Sequence, residues 1–303
     1  MDKKQILTQL MEKGFMASPE VVAGLADSPG MPNALEANFI IENGILVRKK
    51  QLSVEVTQAE TVDGVQIADV VRRFRDRHAK LRSIIQERMQ DSISINKLKT
   101  VFAQSAIIGT VAEHNAKGFV VEDNTGFIEV VSKERPELGC VVGLRGMVKE
   151  GRFFASAMQY PDIPFRRKLA KISGVTLSIS AGRPASANIS LSFAPDVGAS
   201  HVITNPASVR VTKEQDTLSI VAFLPAAAPT VETTKELLRQ RHLAPRAIAG
   251  GKVDNLALVD VPDIFWLAGD ANIKEIYKGV VIIICRRDSA SVVNLENLDV
   301  EFV

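Results

Sequence analysis

Val261-Pro-Asp-Ile-Phe-Trp-Leu-Ala-Gly-Asp-Ala-Asn272 reads as an apolar strand that runs into a turn, with Gly269, Asp270 and Asn272 at its polar end. It lies in a strand-rich stretch that begins at Phe165-Arg-Arg-Lys168 and continues to the C-terminus. Further apolar runs predict strands at 175–179, 187–193, 209–211, 218–223, 257–259 and 280–285, with one clear helix at 231–241. That is an α/β domain over 161–303 with more sheet than helix to cover it. Leu224-Pro-Ala-Ala-Ala-Pro229 marks a loop inside the domain rather than a hinge.

Upstream, Tyr160-Pro-Asp-Ile-Pro164 is a rigid, proline-bounded connector. Before it the pattern is all-β, with strands expected at 106–112, 118–123, 127–131, 140–148 and 152–157 and a tight turn at Asn124-Thr-Gly126. Five short strands in about 60 residues suit a small OB-type β-barrel over 96–160. Such barrels bind single strands by stacking bases on aromatic rings above a positive groove. The rings on offer are Phe102, Phe119, Phe127, Phe153 and Phe154, several at inward-facing positions, so a barrel used for protein contact stays as the competing reading.

Residues 66–89 place Ile67, Val70, Val71, Phe74, Leu81, Ile84, Ile85 and Met89 at helical spacing, with arginines and lysines on the other faces. This predicts a long basic amphipathic helix within a linker region, 51–95. Clustered arginine suits either a solvated face or the phosphate backbone of DNA. The candidate DNA contacts are Arg72, Arg73, Arg75, Arg77, Lys80 and Arg82, together with Arg166, Arg167 and Lys168. Residues 1–50 read as a small helical N-terminal module: Ile6, Leu7, Leu10 and Met11 recur at helical spacing, and Ser18-Pro19-Glu20 is an N-cap followed by proline. A short apolar stretch, Phe39-Ile40-Ile41, ends at Asn43-Gly44, and 46–65 reads as polar and extended. The chain as a whole is expected to be α+β and multidomain.

With 46% hydrophobic and 24% charged residues in 303, the chain can bury a sizeable core in two or three domains. A net charge of +2 does not by itself announce nucleic-acid binding, so any basic surface is local. There is no secretion signal and no apolar run long enough to span a membrane, which makes the cytoplasm the expected compartment. Cys140 and Cys285 stand apart on apolar strands and read as small buried hydrophobes.

Two-metal phosphoester hydrolysis needs His, Asp and Asn ligands around ions about 3.5–4 Å apart. The C-terminal domain has two histidines, His201 and His242, and neither lies in an Asp-x-His, Gly-Asn-His or Gly-His-x-His context. No metal or cofactor is expected. Ser178 and Ser180 lack the Gly-x-Ser-x-Gly elbow of a serine nucleophile. Gly250-Gly251-Lys252 lacks the spacing and following hydroxyl of a phosphate-binding loop. Carboxylates from Asp260 to Asp263 and Asp270 are of the type that holds a hard cation, though nothing in the spacing brings them together.

The order of motifs resembles the small subunit of archaeal D-family DNA polymerase, a family related to the B-subunits of eukaryotic replicative polymerases. The resemblance spans nearly the whole chain. It rests on Met1-Asp-Lys-Lys-Gln-Ile6, Phe74-Arg-Asp-Arg-His-Ala-Lys-Leu-Arg82, Ile107-Ile-Gly-Thr-Val111, Val121-Glu-Asp-Asn-Thr-Gly126, Tyr160–Pro164, Asn205-Pro-Ala207, Leu237-Leu-Arg-Gln-Arg-His-Leu-Ala-Pro245, Gly250-Gly251 and Val261–Phe265. It implies a shortened calcineurin-like phosphoesterase α/β sandwich at 161–303. Active members carry a 3′–5′ exonuclease there. In this chain Ser178 and Ser180 stand where an aspartate and a histidine bind metal, and Asp270 and Asn272 stand where the last motif has two histidines. The resemblance implies that the family's Gly-Asp and Gly-Asn-His-Asp segments are deleted or collapsed between Gly182 and Asn205. The resemblance therefore implies a non-catalytic accessory subunit of a heterodimer. Its partner is the large catalytic polymerase subunit, it meets DNA directly or through the complex, and it works in nucleoid-associated cytoplasm. The alternatives are a residual exonuclease built on Asp263, Asp270 and Asn272, and a free-standing single-strand DNA-binding barrel.

Overall fold

The computed structural model describes residues 3–12, 16–17, 39–42, 45–48, 52–58, 66–100, 104–165, 168–195, 197–246 and 253–303. The chain divides into two units, Met1–Ser53 with Thr212–Gln215, and Val54–Val211 with Asp216–Val303.

The first unit holds α1 (Lys3–Glu12), β1 (Met16–Ala17), β2 (Phe39–Glu42) and β3 (Ile45–Arg48). The strands form one sheet in the order β1-β3-β2. Ile6 of the helical stripe is fully buried. The expectation of a purely helical module is corrected here. Phe39-Ile40-Ile41 and Ile45-Leu46-Val47 are β-branched and aromatic runs, and two residues, Asn43 and Gly44, separate the antiparallel partners Glu42 and Ile45.

In the second unit, which takes up β4 (Leu52–Gln58) from Val54 onward, that strand is an outer one of a six-stranded sheet, where a polar linker is expected from composition. Leu52, Val54 and Val56 are half-buried and the residues between them exposed, so the strand shows the period of two that low overall hydrophobicity conceals. Next comes α2 (Ile67–Gln86), and then a ring of strands: β6 (Ser105–Asn115), β7 (Gly118–Asp123), β8 (Gly126–Val131), β9 (Val141–Lys149) and β10 (Arg152–Gln159). Short β5 (Ser92–Ile93) lies outside β6. The order β6-β7-β8-β10-β9 closes through a β6–β9 pairing, and β8 meets β10 in parallel only at Val130 and Val131. The barrel core is Ile107, Val111, Phe119, Val121, Leu144 and Phe153, with Ile95 and Leu98 added from a 3-10 turn at Ile95–Thr100.

The Asp123-Asn-Thr-Gly126 turn explains its own sequence. Asp123 Oδ1 accepts from Thr125 N (2.7 Å), Thr125 Oγ1 (2.6 Å) and Gly126 N (3.0 Å), while Oδ2 accepts from Ile95 N (3.0 Å). One carboxylate thus shapes the hairpin and fastens the 3-10 turn over the barrel end.

Leu81, Ile85 and Met89 of α2 and its following turn pack on Ala106 and Ile108 of β6 and Val141 of β9. A Cβ at Gly143 would approach Ile85 Cγ2 to 2.8 Å, so a glycine on β9 is what lets the helix come this close.

The rest of the unit is two facing sheets. One has the order β13 (His201–Val202), β12 (Ile189–Ser192), β11 (Thr176–Ser180), β19 (Ala290–Asn294), β20 (Val300–Phe302). The other runs β17 (Ile273–Tyr277), β18 (Val280–Arg286), β16 (Ile264–Gly269), β15 (Asp216–Phe223), β14 (Ala207–Lys213), β4. Trp266 sits between them, donating its indole N–H to Ser291 Oγ (2.9 Å) and stacking on Phe193. On the opposite face of β16, Phe265 and Leu267 pack with Leu238 of α3 (Val231–Gln240), which crosses from β15 to its parallel neighbour β16. Every residue of β16 is buried, which is why it has no polar alternation. The strand expected at 257–259 is instead a loop with a single bridge, Ala257 to His242.

Candidate functional site

Ser178 and Ser180 lie on β11 next to β12 and are fully buried. Ser180 Oγ donates to the Gly182 carbonyl (2.7 Å), and so does Ser192 Oγ from β12 (2.5 Å). Ser178 Oγ accepts from Ala185 N (3.0 Å). These hydroxyls fasten the loop after β11 back onto the strand ends. At the end of β16, Asp270 is exposed, and Asn272 Oδ1 accepts the backbone N–H of Arg286 (2.9 Å), closing the turn into β17. Among the described residues no three His, Cys, Asp or Glu side chains gather as a metal-ligand group.

The alternative ligand set fails on geometry. Asp263 precedes β16 and Asp270 follows it, so the two are separated by the length of a strand, roughly 20 Å. Asp263 is also engaged, accepting from Ser219 N and Oγ (2.8 Å each). Gly250, Gly251 and Lys252 lie outside the described residues. Neither cysteine is an activated nucleophile: burial, then Glu137, pushes Cys140 up to about 12, and burial, then Asp288, pushes Cys285 up to about 11.

The most elaborate polar assembly lies elsewhere, at Arg77, Asp254 and His242. Helix α3 ends at Arg241 in the left-handed region (φ 50°), which turns the chain so that Leu243 N reaches Leu256 O (2.9 Å) and Leu258 N reaches Arg241 O (2.8 Å). This places His242 beside Asp254. Its Nδ1 accepts from Ala244 N (3.1 Å), which leaves the proton on Nε2 to be donated to Asp254 Oδ2 (3.0 Å). From α2, Arg77 Nε donates to the same carboxylate oxygen (2.6 Å) and Nη1 to the carbonyls of Pro245 (2.7 Å) and Gly139 (3.2 Å). Asp76 accepts Asp254 N (2.8 Å) and pairs with Lys80 (2.7 Å). Gly139 has φ 80°, and a Cβ there would run into the Pro245 carbonyl.

Charge balance follows from these contacts. Burial opposes ionisation of Asp254, but the hydrogen bond from His242 and the bond and charge of Arg77 outweigh it and hold the carboxyl well below the usual range. Burial lowers the affinity of His242 for a proton, Asp254 offsets this in part, and Arg77 and Arg73 add to the lowering. Both ring nitrogens of His242 are used and the residue is fully buried, so it has no nitrogen free for acid–base catalysis. What the assembly does is join α2, the β8–β9 loop of the barrel and the segment after α3 at one point. The Tyr160–Pro164 connector is held nearby: Arg239 stacks over Tyr160 at 3.9 Å, Lys278 pairs with Asp162, and Arg88 donates to the Asp162 carbonyl (3.0 Å).

These contacts correct the expected row of DNA-binding cations. Arg73 and Arg77 face inward, 5% and 1% exposed, and cannot reach a phosphate. Lys80 is committed to Asp76 and the Asp254 carbonyl, and Arg82 is half-buried. Arg72, Arg75 and Lys168 are exposed, while Arg166 and Arg167 lie outside the described residues. Composition counts every arginine as surface, although the guanidinium is the cation best suited to a buried carboxylate. Of the barrel rings, Phe119 and Phe153 fill the core, Phe127 and Phe154 face outward, and Phe102 lies outside the described residues. Asp76 and Asp254 are the partners that sequence reasoning missed. Their nearest signal is the Arg241-His242 pair followed by Pro245, whose role depends on a helix more than 160 residues upstream. No helix among the described residues is long and apolar enough to cross a membrane. Compared with known proteins, the chain matches no family model and no curated sequence.

Proposed function

We propose that this chain is a non-catalytic scaffold subunit of a D-family DNA polymerase, forming a heterodimer with the large catalytic subunit and acting on DNA through that complex in nucleoid-associated cytoplasm. In this reading the barrel is an OB-fold: its ring order, with the fourth and fifth strands exchanged, supports that assignment. The two facing sheets are a shortened calcineurin-like phosphoesterase sandwich. The observation that carries the reading is the pairing of two facts. Ser178 and Ser180, which the resemblance sets at metal-ligand positions, are closed on their own loop, and a buried ionic lock ties the helix, the barrel and the segment after α3 together. A body built for rigidity, with its ligand positions filled by structural groups, suits a platform.

Affinity purification of the native complex tests this, with recovery of a large polymerase subunit in stoichiometric amount as the expected result. Mn²⁺-dependent 3′–5′ degradation of single-stranded DNA by the purified chain, abolished by Asp270→Ala, would sink it.

A further inference from the structure

The face of α2 that holds the helix to the barrel continues past the point where the barrel ends. Ile67, Val71, Phe74 and His78 fall within about 60° of one another around a helix of 3.6 residues per turn. His78, at the inner end, is 4% exposed and meets Thr110 of β6 through Nδ1 (3.2 Å). Toward the N-terminus the same stripe emerges: Phe74 is 36% exposed, Val71 44% and Ile67 85%. Exposed apolar side chains in a continuous row, as opposed to scattered ones, mark an interaction surface.

Beside this stripe lie two cavities of about 300 Å³ each, one bordered by Val71, Arg75 and Asn124 and the other by Leu138, Pro245 and Arg246. Phe74, Thr110 and Glu122 line both, so the Phe74 ring divides one longer groove between helix and barrel. Leu138, Val111, Ala112 and Pro245 give the second half apolar walls. The helix flank of the stripe is basic, since Arg72 and Arg75 are both exposed there; on the barrel side Glu122 and Asp123 line the groove, and Arg246 at its far end is paired with Glu137 (3.2 Å).

We infer that this groove is a docking site for an amphipathic protein segment whose bulky apolar side chains are flanked by carboxylates. The apolar anchors fit on either side of Phe74, in the helix-in-groove mode of peptide recognition. The flanking carboxylates meet Arg72 and Arg75, and Glu122 takes a hydrogen-bond donor from the segment. Phe74 is the one exposed aromatic ring of the stripe, and Ile67 and Val71 beside it give no flat face on which successive bases could stack, which favours protein over nucleic acid. The inference goes beyond the scaffold reading and does not depend on it.

Fluorescence anisotropy on the isolated full chain tests the site. The probes are a short synthetic helical peptide with leucine and phenylalanine along one face flanked by glutamate, its lysine-for-glutamate counterpart, a scrambled peptide and an oligothymidylate. The glutamate peptide is expected to bind, to weaken about tenfold or more with Val71→Asp, and to be unaffected by Ile276→Asp, an exposed apolar residue on β17. The double charge reversal Arg72→Glu with Arg75→Glu removes no apolar contact and is expected to transfer preference to the lysine peptide, which keeps the test valid if Val71→Asp lowers Tm. Equal binding of the lysine or scrambled peptide to the wild type, or an affinity indifferent to both variants, overturns the inference. So does oligothymidylate binding that Val71→Asp abolishes, which would make the surface one for nucleic acid. Because co-purification tests the scaffold reading and these probes test the groove, either can fail alone.

Discussion

The serines at the end of β11 and the Arg77–Asp254–His242 lock are both buried polar clusters with their hydrogen bonds made, yet they differ in reach and in charge. The Ser178, Ser180 and Ser192 hydroxyls bond to backbone within 10 residues of themselves and carry no charge. The lock is ionic, and Arg77 lies 177 residues from Asp254 and 168 from Pro245. A neutral hydroxyl closing its own loop contributes about 1 kcal/mol and can be lost cheaply. A buried charge is different, because removing one partner leaves the other desolvated and unpaired. The comparison teaches where this chain is intolerant of change: at the joint between its parts, and not at the serines of β11 and β12.

The largest effect is expected from Arg77→Met, which leaves the Asp254 carboxylate buried without its cation, held only by the neutral donors His242 and Leu256 N (3.0 Å), and should destabilise the protein by about 3–5 kcal/mol in urea denaturation. Arg77→Lys should restore little, since a point charge cannot reach a carboxylate and two carbonyls at once. Full stability in the lysine variant would show that the fork geometry is not what joins the three segments.

Gly139→Ala comes next, at about 1–3 kcal/mol, from a left-handed backbone position combined with the approach of the Pro245 carbonyl. An unchanged urea midpoint would mean that the barrel loop can move away from the lock.

Acidity probes the same joint more gently. Burial holds His242 and His78 below the ordinary imidazole range, so between their folded values and about 6.5 the unfolded chain binds more protons. Stability is therefore fully present above about pH 6.5 and falls as pH drops below it, by up to about 1.4 kcal/mol per unit for each histidine. The contribution of Asp254 is retained further down and is lost only below about pH 3.9, as pH falls through its depressed folded value. Thermal melts across this range check the slope, and His242→Gln should flatten part of it while His78 keeps the remainder.

The smallest effect belongs to the other cluster. Ser180→Ala should cost less than about 1 kcal/mol, because the Gly182 carbonyl keeps its bond from Ser192. A loss as large as that of Arg77→Met would erase the distinction between the two regions.

Much of the architecture was legible from local pattern. The period of 3.6 in 66–89 gave α2 almost to its ends, the Asp123–Gly126 turn marked the barrel hairpin, and the unbroken apolar run at 264–267 marked β16. Strands β13 and β20 were missed because two or three residues carry no period, β4 because its alternation lies inside a polar stretch, and β17 and β19 because their few apolar residues are mixed with Lys274, Glu275, Ser291 and Asn294. Of the candidate site residues, Ser178 falls inside the strand expected at 175–179 and Ser180 ends β11, one residue beyond it. Arg73 and Arg77 were assigned to the wrong side of the helix, since sequence shows their charge and not their partner.

By itself, then, the sequence determined the elements: which segments are apolar at period two or 3.6, where Asp, Asn and Gly turn the chain, and which histidines a metal site would lack. Those properties act over a few residues, through backbone sterics and the spacing of side chains along one element. Only the tertiary structure decided which arginines are inside, that His242 holds its proton for Asp254, and that a helical stripe projects beyond the barrel it is built on. Each of these depends on groups brought together from distant parts of the chain. The free energy of a buried charge or an uncovered apolar face is set by those neighbours, and no local pattern records them.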